Sequence, residues 1–153
     1  MIKIDNEQQL LQLFRPIDRD EVVVPAGQSY PIVIRNYHSW VEPSGARAFL
    51  VFQEPDGRSA AGVVFRRQHP VGEPVNNMCE WCHSVRSHQT IGLLTAKASK
   101  NRRVGLHVCR DLNCKDHVRA RPGVNDLRES ITPDEKIFKI THKMSDFARA
   151  NLF

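Results

Sequence analysis

No apolar run in this 153-residue chain approaches the roughly 20 residues that a helical membrane span requires, so no membrane role is expected. The first residues, Met1 to Glu7, have neither a basic n-region nor an apolar h-region. That points away from a secretory signal and toward the cytoplasm, where thiols stay reduced. The chain has no P-loop, no G-x-G-x-x-G and no H-E-x-x-H. Ser and His adjoin at His83-Ser84 and Ser87-His88, but adjacency in sequence does not make a triad. The carboxylates Asp18, Asp20 and Glu21 look like an ordinary polar loop. Catalysis and a small-molecule substrate are therefore not expected. Internal repeats and low-complexity tracts are also absent.

What is present is the balance of an ordinary globular domain, 41% hydrophobic and 25% charged, in a chain long enough to bury a core without disulfide staples. The formal net charge of +5 is unevenly spread. Residues 58–121 hold 12 Lys and Arg against 4 Asp and Glu, and this segment also contains every cysteine. A mildly basic face of this kind suits an acidic partner, either RNA or an acidic protein surface.

Periodicity predicts an α+β chain of one domain spanning residues 1–153. A short N-terminal helix is expected over 5–15, capped by Asp5 with Gln8 three residues on, and ended by Pro16. A β region is expected over 20–68. Its strand signals are Val22-Val23-Val24, Tyr30 to Ile34, and two runs, Ala46 to Gln53 and Ser59 to Arg67, joined by the turn Glu54-Pro55-Asp56-Gly57. His69 to Asn77 reads as a loop that delivers the chain to Cys79. Thr90 to Ala96 and Val104 to Val108 form a second hairpin candidate across a basic link. The last helix, 132–150, opens on the capping box Thr132-Pro133-Asp134-Glu135 and carries Ile137, Ile140, Met144 and Phe147 along one face.

The chemistry lies in the cysteines. Cys79-Glu80-Trp81-Cys82 and Cys109-Arg110-Asp111-Leu112-Asn113-Cys114 are C-x₂-C and C-x₄-C pairs separated by 26 residues, and together they use every cysteine in the chain. Zn²⁺ takes soft ligands at tetrahedral corners, and a C-x₂-C turn brings two sulfurs to one ion. A redox dithiol fits less well, because a second pair is present and no βαβ pattern surrounds the first. Two disulfides would need an oxidising compartment. Four unrelated core cysteines would rarely pair so neatly. His83, His88, His107 and His117 lie near enough in sequence to replace a ligand, but with four thiols available they read as surface or outer residues. Cys79, Cys82, Cys109 and Cys114 are thus the expected ligands of one structural Zn²⁺. A four-cysteine shell leaves no position for a reactive water. A short helix is expected to begin at Arg110 or Asp111 and to carry Cys114.

A C-x₂-C knuckle, a hairpin, and a cysteine pair entering a helix follow one another in the order of a treble-clef zinc finger within residues 76–121. On Cys79-Glu80-Trp81-Cys82 and His107-Val108-Cys109-Arg110-Asp111 with Cys114, the chain resembles the C-terminal treble-clef domain of elongation factor G-binding proteins, the FusB-type fusidic acid resistance proteins. The resemblance spans about residues 30–150. It implies a domain that binds elongation factor G and helps free it from the ribosome, and it carries the zinc positions over to the same four cysteines.

Lys97, Lys100, Arg102, Arg103, Arg110, Lys115, Arg119 and Arg121 place 8 cations in 25 positions, against Asp111 and Asp116. They read either as a docking surface for ribosomal RNA or an acidic protein, or as an ordinary solvated face. No aromatic residue interleaves with them, which argues against stacking of single-stranded bases. Trp81 either packs over the zinc site or stands exposed as a binding anchor. Tyr37, His38 and Trp40 form an aromatic cluster that suits a contact or the core. The expectation is a zinc-stabilised protein-binding module. The alternative is a binder of structured RNA that uses the basic hairpin 97–121.

Overall fold

A computed structural model describes residues 1–120 and 132–153; Arg121 and the last position of the expected finger, 76–121, lie outside the described residues. The backbone of the architecture is a five-stranded antiparallel sheet. The Pro-Asp-Gly turn makes the hairpin expected of it, joining β4 (Arg47–Gln53) to β5 (Ala60–Arg67), with Leu50 opposite Val63. Gly57 takes φ 71° in that turn, and the Asp56 carboxylate accepts from the Arg58 and Ser59 amides. β3 (Tyr37–Val41) pairs with β4 on one flank. The aromatic cluster of Tyr37, His38 and Trp40 therefore lies in a strand.

On the other flank, β8 (Ile91–Ser99) and β9 (Arg102–Cys109) complete the sheet in the order β3-β4-β5-β8-β9. This second hairpin is longer than its apolar residues indicated. Lys97, Ser99, Arg102 and Arg103 all join the ladder, with a register shift between Lys97 and Ser99, because pairing once begun extends over polar residues as readily as apolar ones. The loop before Cys79 also ends in structure. β6 (Asn76–Met78) pairs with β7 (Val85–Ser87) in a small ribbon around the first cysteine pair.

The sheet separates two apolar layers, and the alternation of strand side chains decides which residue enters which. Ala48, Leu50 and Phe52 of β4 face the layer built with the cysteines and α4 (Pro133–Asn151). Phe49 and Val51 face a layer with Ile4, Leu10, Phe14, Ile32 and Ile34. α4 follows expectation: Thr132 Oγ1 accepts from the Glu135 amide, and Ile137, Ile140 and Met144 are buried. Phe147 packs edge-on to Trp81 at 6.3 Å.

The N-terminal region departs from expectation in three places. Asn6, not Asp5, caps α1 (Glu7–Gln12), accepting from the Gln9 amide, while Gln9 Oε1 accepts from the Asp5 amide. The helix therefore starts one residue later than the Asp5/Gln8 reading. Pro16 does not merely end the helix; it sits at the first position of α2 (Pro16–Arg19), where its missing N–H costs nothing. Arg15 there donates to Asp18 Oδ2 at 2.8 Å and to the carbonyl of Lys97 at 2.7 Å. Val22 to Val24 is not a strand. It lies over Trp40, whose indole donates to the Val23 carbonyl at 2.8 Å. The short β1 (Ile2–Ile4) pairs instead with β2 (Ile32–Ile34).

Phe14 joins this layer to the sheet. The Gly62 amide donates to the Leu13 carbonyl at 2.8 Å, and a Cβ built on Gly62 would meet the Phe14 ring at 2.7 Å. Glycine is required there by close approach, not by turn geometry. Gly62→Ala is expected to destabilise the chain by about 1–3 kcal/mol through overpacking, read as a lower urea midpoint. An unchanged midpoint would mean that Phe14 is not seated as described.

Candidate metal centre

β6 ends one residue before Cys79, and a tight turn returns the chain to β7. The His83 amide donates to the Cys79 carbonyl and the Cys79 amide to the Ser84 carbonyl, both at 2.9 Å. His83 takes φ 60° in this turn, a left-handed conformation that L residues seldom adopt. The amides of Trp81 and Cys82 point back at Cys79 Sγ, each 3.4 Å away. The second turn repeats the device. β9 ends at Cys109, Leu112 takes φ 57°, and its amide donates to the Cys109 carbonyl at 2.9 Å. α3 (Cys114–Arg119) then begins on Cys114 itself. The expected helix start at Arg110 or Asp111 is thus corrected, because those residues belong to the turn that carries the chain from Cys109 to Cys114.

All four thiols are buried, unbonded to one another, and within 4.8 Å of each other. Cys82 Sγ is 3.6 Å from Cys109 Sγ, and Cys79 Sγ is 3.7 Å from Cys114 Sγ. A tetrahedron with Zn–S bonds near ~2.3 Å has edges of about 3.8 Å, so the sulfurs already stand at the spacing of a Zn²⁺ shell. Their protons argue the same way. Hydrogen bonds from Cys109, Cys114 and Cys79 hold the Cys82 thiol far below the usual thiol range, while the interaction with Cys109, and then with Cys79 and Cys82, pushes Cys114 well above it. Four thiols packed this closely cannot all ionise alone, and a divalent cation removes that obstacle. The donor set fits zinc, and Cys79, Cys82, Cys109 and Cys114 are the residues that would hold it.

Around the sulfurs lies a shell that the spacing of cysteines could not reveal. His117, buried on α3, has Nδ1 3.1 Å from Cys109 Sγ, the place from which an N–H donates to a metal-bound thiolate. Tyr37 reaches from β3, donates to the Leu112 carbonyl at 2.8 Å, and accepts from the Lys115 amide at 2.9 Å. One hydroxyl thereby holds the second turn and the start of α3. Burial, followed by charge at Cys114, pushes that hydroxyl well above its ordinary range, so it stays a neutral donor. Arg67 at the end of β5 donates to the Arg110 carbonyl at 3.0 Å and pairs with Asp111 at 2.6 Å. Tyr37 had a signal in the sequence as part of its aromatic cluster, and His117 as one of the histidines near the cysteines. Arg67 looked like any residue at a strand end.

The other candidate contact residues are placed less openly than their sequence implied. Trp81 is 4% exposed and packs edge-on to Phe65 at 6.3 Å, the packing alternative of its two readings. Arg110 is 9% exposed and donates to the Gln89 carbonyl at 2.9 Å. Lys97 is paired with Glu21. Arg103 donates to Thr95 Oγ1 at 3.2 Å. Lys115 donates to the carbonyls of Arg35 and Tyr37 and lies 4.4 Å over the Tyr37 ring. Burial, and then the charge of Arg119, lowers its ammonium to about 8. Lys100, Arg102 and Arg119 are exposed. The run of cations is therefore not one continuous surface, since Arg110 lies inside the molecule.

Two cysteine turns, a hairpin between them and a helix opening on the last ligand define a treble-clef zinc finger. The family model described as FBP C-terminal treble-clef zinc-finger matches residues 14–150, and the chain belongs to that family. No curated protein matches by sequence. Among solved structures, the fusidic acid resistance protein FusC has the same fold at a TM-score of 0.52 and 13% identity. The match covers 99% of this chain and 60% of that one.

Two variants test the centre. Cys109→Ala is expected to purify without zinc and with a lowered, broadened thermal transition, because structural zinc contributes on the order of 10–16 kcal/mol in small fingers. Full metal content with an unchanged transition would contradict this. Tyr37→Phe is expected to keep the metal but lose about 1–3 kcal/mol, because it leaves the Lys115 amide without its acceptor and the Leu112 carbonyl without one of its donors.

Proposed function

We propose that this chain is a zinc-stabilised, non-catalytic protein-binding module of the cytoplasm whose target is elongation factor G or another ribosome-associated factor. Membership of the FBP family over residues 14–150 is the observation that carries this reading. Two further features support it. The four-cysteine shell leaves no open coordination position for hydrolysis, so the metal's part is to hold shape. The fold is shared with a fusidic acid resistance protein, as expected of a chain of this family.

The second reading is a binder of structured RNA through hairpin 97–121, and it rests on the exposed cations Lys100, Arg102 and Arg119. Salt separates the two. Phosphate contacts release counterions and weaken steeply as salt rises, whereas a largely apolar protein interface does not. Tagged protein passed through a cell extract is expected to retain elongation factor G after RNase treatment and in raised salt. Recovery of ribosomes that disappears with RNase, and that is also lost when Lys100, Arg102 and Arg103 are replaced together by Glu, would overturn the protein-binding reading in favour of RNA.

A further inference from the structure

β9 is the outer strand of the sheet, and its pairing with β8 settles which of its backbone groups face outward. The Gln68 amide donates to the Leu93 carbonyl, so the odd residues of β8 bond toward β5 and its even residues toward β9. The odd residues of β9 therefore point away from the sheet. At His107 both outward groups are taken by Glu80: its amide donates to the His107 carbonyl at 2.9 Å, and its carboxylate accepts from the His107 amide at 2.6 Å. Glu80 here does what a residue of a neighbouring strand would do. Two and four residues earlier, Gly105 and Arg103 present the same outward donor and acceptor, and neither backbone has a partner among the described residues. This stretch of edge has no proline, and Gly105 adds no side chain to keep another backbone away.

The two sides of this edge differ in chemistry. Toward α4 there is a groove of about 500 Å³ with Trp81, Val104, Leu106 and Phe147 along it and Lys143 and Asp146 at its rim. On the opposite face of the sheet, Arg103 and the exposed Arg66 flank Thr95. Burial, and then the charge of Arg66, lowers the Arg103 guanidinium, so the two cations lie close enough to feel each other. A strand laid on β9 sends alternate side chains to these two environments.

We propose that the open edge of β9 at Arg103–Gly105 takes an extended segment of a partner protein as a sixth strand, with apolar side chains entering the Trp81–Phe147 groove and acidic ones meeting Arg103, in the longer-range field of Arg66 behind it. Main-chain hydrogen bonds supply affinity in this mode, and the alternating pockets supply selectivity. A second copy of this chain is the poorer occupant. Pairing β9 with β9 would gather the Arg66 and Arg103 cations of both copies at one junction, and like charges across strands repel. The inference goes beyond the elongation-factor reading and holds whichever protein supplies the segment.

The test uses the full zinc-loaded chain and a capped heptapeptide of alternating Val and Glu, with a Val/Lys heptapeptide and a short single-stranded RNA as controls. Amide hydrogen exchange is followed residue by residue. The Val/Glu peptide is expected to slow exchange at Arg103 and Gly105 at least tenfold, with the Val/Lys peptide and RNA without effect. The double variant Arg66→Glu/Arg103→Glu is expected to reverse the peptide preference. Gly105→Pro removes an outward N–H, and its new Cβ needs the end of the Leu93 side chain to shift; with unchanged amide protection along β8 as the check of folding, it is expected to weaken binding at least tenfold. The proposal is overturned if the Val/Glu peptide fails to bind, if it binds without protecting those two amides, if both peptides bind equally, if RNA protects them instead, or if the chain dimerises and protects them unaided.

Discussion

Four buried sulfurs within 4.8 Å of one another are the constraint on which the rest of the molecule depends. A pocket that removes water from four thiols penalises each added negative charge, and only a cation among them makes the fully ionised set stable. Once a divalent ion is there, two turns 26 residues apart in sequence are fastened together. Each turn contains a left-handed residue without the freedom of glycine, His83 in the first and Leu112 in the second. Such conformations persist only where their surroundings over-determine them, and the metal with its backbone hydrogen bonds supplies that determination.

From this point the architecture extends outward. Cys79 and Cys82 lie beside the ribbon of β6 and β7, Cys109 closes β9, and Cys114 opens α3. The hairpin of β8 and β9 is therefore held at its base, while its tip is free to carry Lys100 and Arg102. Tyr37 ties the second turn to the first strand of the sheet, and Lys143 of α4 donates to the Trp81 carbonyl at 3.1 Å to tie the helix to the first. The metal centre is thus a structural hub, and β9, capped by Glu80 at His107, is the outer strand of the sheet among the described residues. For the proposed binding role, rigidity of this kind would fix the contacting surfaces before a partner arrives and reduce the ordering needed on binding.

The elements that could be read from the sequence share a local cause. The cysteine spacing, the Glu54-Pro55-Asp56-Gly57 turn and the Thr132 capping box each specify geometry within a few residues, and each appears in the structure as expected. What was missed is non-local. β1 forms because β2 arrives beside it from some 30 residues away, so three residues such as Ile2 to Ile4 gave no periodic signal of their own. Val22 to Val24 had the composition of a strand but pairs with none, and the Val23 carbonyl accepts from the Trp40 indole instead. Arg110 and Lys115 looked like surface cations, yet the turn between Cys109 and Cys114 carries one inward against Gln89 and the other over Tyr37. The placement of Arg67 beside the centre likewise depends on how distant segments meet, which no window of sequence contains, whereas His117 follows Cys114 by three residues on α3.

X-ray absorption at the zinc edge on freshly purified full-length protein addresses the central claim most directly. One zinc per chain, surrounded by four sulfurs at about 2.3 Å, is the predicted result. A chain isolated without metal, or a shell in which a nitrogen replaces one of the sulfurs of Cys79, Cys82, Cys109 and Cys114, would contradict it.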